Sequence, residues 1–140
     1  MFFHEFVHIC SSEIKDKSTW MWHLIEEGRA AYITNQLDKR DDLGLLMSKE
    51  DLSWCKKNEK YLFNEMFKTI SKNDENKYFH FISPRKHICG ISRTGYFIGY
   101  KLIEIYMNTL DKLNKKEKIK KLLCANETEV YFKILRDMCL

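Results

Sequence analysis

The stretch His4-Glu5-Phe6-Val7-His8, answered by Ile25-Glu26-Glu27-Gly28, decides how the chain is read. Two histidines four residues apart lie on one face of a helix, about 5–6 Å apart at Cβ, so both rings can reach a single ion. Glu5 adjoins that face, where a carboxylate can polarise a metal-bound water without being a ligand. Glu27 follows His8 by 19 positions, room enough for the first helix to end, turn and send a second helix back past the metal. A zinc ion that keeps one open position takes three protein ligands, and His4, His8 and Glu27 provide that set. The flanking Phe2, Phe3, Phe6, Val7 and Ile9 predict a buried first helix, and buried histidines require partners. The competing reading is a chance pattern whose histidines cap, pack or face water.

Working outward, the spacing predicts a first helix from about Met1 to Ile14 and a second from about Trp20 to Leu37, capped by Ser18 or Thr19. Gly28 inside the second costs about 1 kcal/mol relative to Ala, a cost that fits close approach by another backbone or by substrate. Asp38 to Met47 reads as an irregular connection. Ser48-Lys49-Glu50-Asp51 resembles a capping box opening a third helix to about Ser71. Tyr78 to Ile91 is the least regular region, with Tyr78–Ile82 a short strand lacking an obvious partner. A fourth helix runs from near Ser92 or Arg93 to about Leu113. A lysine-rich helix over Lys115–Cys124 and a last one through Met138, capped around Asn126–Glu129, complete the chain. The expectation is an all-α bundle of five to six helices, with residues 1–140 forming one domain.

Composition sets the class. The chain has 140 residues, one proline, five glycines and 14% aromatic residues, which favours long helices around an aromatic core. Its net charge of +4 is small and dispersed, so nucleic acid is not expected as a partner. The Lys115–Lys121 cluster reads as a solvated helix face. No apolar run reaches the ~18 residues of a membrane span, and Met1-Phe2-Phe3 shows no signal-peptide pattern. The five scattered cysteines, Cys10, Cys55, Cys89, Cys124 and Cys139, form no CxxC pair and suit a reducing compartment. A cytoplasmic, intracellular protein is expected.

Taken in order, HEFVH, IEEGRAAYI and SRTGYFIGYKLIEIYM resemble the gluzincin clan of zinc metallopeptidases, in particular its small predicted zinc-dependent proteases. Those pair HExxH with an E-G-x-A-x-Y ligand helix and a later G-Y-x-x-G-Y helix, and the resemblance covers most of residues 4–107. It implies a helical subdomain holding Zn²⁺ on His4, His8 and Glu27, the glutamate directly before glycine. Glu5 would be the general base and Tyr96, in Tyr96-Phe97-Ile98-Gly99, the oxyanion partner, with Tyr100 its neighbour in competition. Glu26 would form a surface pair or bind a substrate amine, and Arg93 and His80 would contact substrate or the transition state, His80 and His87 reading otherwise as ordinary loop residues.

The chain departs from that family pattern in two places. Related enzymes place a substrate-binding sheet before HExxH, whereas three residues precede His4. Ala31 stands where an acidic partner for a zinc histidine is common. The implied function is a zinc-dependent peptidase acting on a peptide or protein substrate. The alternative is a truncated, non-catalytic zinc-binding module serving structure or protein interaction. A partner chain or self-association would complete the missing sheet.

Overall fold

A computed structural model of the chain describes residues 2–10, 20–38, 46–124 and 127–139, without the side chains of Phe2, Phe3, Cys10 and Asp38. Eight helices and one small hairpin are described: α1 (Phe2–Cys10), α2 (Trp20–Asp38), α3 (Lys49–Lys57), α4 (Glu59–Ser71), α5 (Glu75–Ile82), β1 (His87–Ile88), β2 (Ile91–Ser92), α6 (Thr94–Asn108), α7 (Lys115–Cys124) and α8 (Thr128–Met138). The fold is all-α, as the periodicity predicts.

The bundle is organised around α2. Met21, Leu24, Ile25, Ala30, Ala31 and Ile33 are buried on successive turns, and Glu26, Arg29 and Thr34 are buried with them, so the helix is enclosed nearly all round and has neighbours on several sides. It packs most extensively on α6, then on α1, and also meets α8. From α6 come Phe97, Ile98, Leu102, Ile103 and Met107; from α4, Leu62, Phe63 and Met66; from α8, Tyr131 and Leu135. Each such side chain contributes about 1.5–3 kcal/mol on full burial, which outweighs the propensity cost of a mid-helix glycine.

That glycine has a packing reason. A Cβ added at Gly28 would lie 2.2 Å from the carbonyl carbon of Gly99, and one added at Gly99 would lie 2.4 Å from the Leu24 carbonyl oxygen. The backbones of α2 and α6 therefore touch, and only glycine on both sides permits it. Of the two reasons the sequence offers for Gly28, approach by another backbone is the one observed.

Local signals explain the remaining boundaries. Ser48 caps α3 by accepting a hydrogen bond from the Asp51 N–H at 3.0 Å. The predicted third helix is two helices, because Asn58 leaves the helical region (φ −113°, ψ 25°) while its N–H closes back on Trp54 and Cys55. Tyr78–Ile82 is helical and not a strand: Asp74 caps α5 by accepting from the Lys77 N–H at 3.0 Å, and Tyr78 and Phe81 face the core. The small hairpin lies further on. Its turn residues Cys89 (φ 52°) and Gly90 (φ 79°) both have positive φ, as a two-residue type I′ connection requires.

Arg93, left-handed (φ 57°), stands at the N-cap of α6, which starts at Thr94 and ends at Asn108, short of the predicted Leu113. Asn114 and Glu117 exchange reciprocal side-chain to N–H bonds of 2.8 and 2.9 Å at the start of α7, a full capping box. Continuation of α1 to Ile14, a cap at Ser18 or Thr19, and a cap at Asn126 lie outside the described residues.

The first helix differs from expectation. His4 and Val7 are buried, but Phe6 is 49% and Ile9 69% exposed. Helix α1 lies on α2 by one narrow face, and that face carries the histidines.

Candidate metal centre

Helix spacing stacks His4 and His8 one turn apart on the side of α1 that meets α2. Their rings sit edge to face with centroids 4.9 Å apart. Glu27, one turn past Leu24 on α2, reaches between them: its Oε2 is 3.2 Å from His4 Nε2 and 3.5 Å from His8 Nε2. Among the described residues, His4, His8 and Glu27 are the one group of three His, Cys, Asp or Glu side chains whose ligand atoms share a space, all within 4.8 Å of one another.

The electrostatics follow from this convergence. His8 presents Nε2 to Glu27 and Nδ1 to Glu26 Oε2 at 3.5 Å. With a carboxylate at each ring nitrogen the protonated ring is favoured, and hydrogen bonds to Glu26 and then Glu27 raise its pKa to about 10. Burial alone would raise the Glu27 carboxyl, but hydrogen bonds from His4 and His8 hold it down at about 2. The metal-free cluster is thus a compact set of charges joining α1 to α2.

The donor set suits a metal as well as it suits protons. Two imidazole nitrogens and one carboxylate oxygen are ligands for zinc and its neighbours. Tetrahedral coordination at about 2.0–2.1 Å sets ligand atoms about 3.4 Å apart. The 3.2 and 3.5 Å separations around Glu27 already have that spacing.

The other candidates divide by place. Tyr96, on the first turn of α6, stands 6.2 Å from the His4 ring between centroids; burial, then the Glu27 charge, pushes its hydroxyl up to about 12. Tyr100 instead packs against Tyr32, 5.7 Å away. Glu5 is exposed on α1, close enough for its charge to act on Tyr96. Arg93 also acts electrostatically on Tyr96, while its Nη1 donates to the Leu46 carbonyl at 3.1 Å. His80 lies on α5 and His87 on β1, neither within the cluster.

Glu26 is where sequence reasoning fails most. In place of a surface pair it is 5% exposed, and its Oε1 lies 2.7 Å from Nη1 of Arg29, which is 1% exposed. Burial pulls the Arg29 guanidinium below its ordinary pKa, and Glu26 opposes that fall. The i,i+3 spacing of Glu26 and Arg29 was available as a pairing signal. Contact with His8 depends on how α1 crosses α2, which no local pattern encodes.

The model of the gliding motility protein GldB family matches residues 4–134. No curated protein and no solved structure matches the chain. The match overturns the gluzincin resemblance and, with it, the zinc-peptidase function. Glu5 as general base and Tyr96 as oxyanion partner were implied by that resemblance and lose its support. The truncated-module alternative gains none from the match. The family model is designated as one of lipoproteins, components of the cell envelope, which also overturns the cytoplasmic expectation. Among the described residues no helix is long and apolar enough to cross a membrane. Because the match runs over residues 4–134 of a 140-residue chain, the protein belongs to the gliding motility protein GldB family.

Proposed function

We propose that this chain serves a motility-associated role in the cell envelope through a helical bundle that binds one divalent transition-metal ion, zinc in the first instance, on His4, His8 and Glu27. The observation that carries the reading is the convergence of two imidazoles and one carboxylate, from two helices, on a single space. Three ligands leave one coordination position of a tetrahedral ion for an outside donor. An ion bound there would supply positive charge at that position and would tie α1 to α2. Tyr96, whose ring lies 6.2 Å from that of His4, would border the open side.

Cobalt substitution tests the reading. Metal-free protein titrated with Co²⁺ should develop the intense visible bands of a four- or five-coordinate ion, saturating at about one equivalent. Zinc should displace them, and His8→Ala should abolish them. A folded protein that stays colourless up to millimolar cobalt would leave the cluster as a metal-free clasp between helices and end the proposal.

A further inference from the structure

We infer that Glu26, anchored by Arg29, is the positioning residue for the metal ligand His8, fixing which ring nitrogen meets the ion. The inference rests on the metal-binding reading and adds to it a device the ligand set alone does not contain. His8 Nε2 faces Glu27 and the shared space, whereas Nδ1 faces Glu26 Oε2 at 3.5 Å. The other Glu26 oxygen, Oε1, lies 2.7 Å from Arg29 Nη1. The chain of contacts runs from the ion's place through His8 and Glu26 to a guanidinium sealed in the core.

Its physical effect is specific. A metal-bound imidazole keeps a proton on its other nitrogen, and an acceptor for that N–H selects the tautomer and raises the basicity of the ligating atom. Glu26 supplies the acceptor at Nδ1, so Nε2 is left to the ion. Arg29 faces Oε1 as a buried ion pair at the i,i+3 spacing that α2 provides, so its charge holds the carboxylate in place although the two groups are not aligned as a hydrogen bond.

The test compares the parent with Glu26→Leu/Arg29→Met, a double variant that removes the acceptor at Nδ1 and both buried charges together, and so avoids leaving one charge of the pair alone. Zinc affinity is measured by competition with a chromophoric chelator, and the protonated ring nitrogen of His8 by ¹⁵N NMR of the zinc-loaded parent. The expected result is affinity lower by about 10–100-fold in the double variant, with its metal-free fold retained. In the parent, His8 should carry its proton on Nδ1. Affinity within about threefold of the parent, well under that range, overturns the positioning role while leaving the metal site standing. If the double variant does not fold, the parent spectrum decides: zinc on Nδ1 with the proton on Nε2 overturns the inference. A parent that takes up no zinc removes the metal reading and this one with it.

Discussion

Glu27 and Gly28 are consecutive residues of α2, and they look in opposite chemical directions. At Gly28 the helix meets α6 backbone to backbone, through an absence of side chain on both partners. At Glu27, with Glu26 beside it, the same helix meets α1 through four polar side chains from two helices. The first junction is steric: its geometry is fixed by what a Cβ would strike, and neither pH nor ions alter it. The second is electrostatic, so it responds to protons and, in our proposal, to metal. A fold-defining contact and a responsive one are thus separated by a single peptide bond, and displacement of either helix is felt at both.

Breaking the polar side most severely means removing one half of its buried anchor. Arg29→Met breaks the buried Glu26–Arg29 pair and leaves Glu26 facing His8 at the longer distance of 3.5 Å, so stability should fall by about 3 kcal/mol, the lower end of the cost of breaking a buried pair. Chemical denaturation would show it. A loss below about 1 kcal/mol, the ordinary value of an exposed pair, would mean that solvent reaches Glu26 and that the anchor is not structural.

On the steric side, Gly28→Ala improves helix propensity by about 1 kcal/mol but drives a methyl group into the Gly99 backbone. We expect a net loss near the upper end of overpacking costs, about 3 kcal/mol, because no rotamer change relieves a clash with main chain. Stabilisation of the variant would show that α2 and α6 can part without penalty. Glu27 shifts with Gly28, so metal uptake should weaken in the same variant.

The smallest effect separates the two junctions by pH. The His8 pKa is raised from 6.5 to about 10, so its stabilising contribution is complete below 6.5 and is lost as pH rises through about 10. The Glu27 pKa is lowered from 4.5 to about 2, so its contribution is complete above 4.5 and is lost as pH falls through about 2. The metal-free protein should therefore gain most from this cluster between pH 4.5 and 6.5, with Tm falling by a few degrees towards alkaline pH. His8→Ala should remove that alkaline fall. An unchanged slope in the variant would assign the pH response to other groups.

Much of the arrangement was legible in the sequence, for physical reasons that also mark the limits. The four-residue spacing of His4 and His8 and the 19-residue interval to Glu27 constrain helical geometry, and the structure brings these residues together. Spacing constrains where ligand atoms lie and leaves open which reaction, if any, uses them. That is why a peptidase resemblance could be built on residues that belong to a motility family. Asn58 divides a helix without glycine or proline, through a local φ/ψ change that apolar periodicity does not register. Helix α5 was hidden by its aromatic and histidine content, although Asp74 ahead of Tyr78 and Phe81 carried a cap signal. The role of Glu26 was beyond local reading, since a helical wheel gives its direction and the crossing of α1 gives its partner.

The most direct measurement is zinc per chain by elemental analysis, on protein purified without chelator or nickel resin, beside His8→Ala. About one zinc in the parent, lost in a folded His8→Ala, is the expected result. No zinc in well-folded parent protein, even after zinc is added back and excess removed, would contradict a metal site and leave α1 and α2 joined by packing and by the histidine–glutamate contacts.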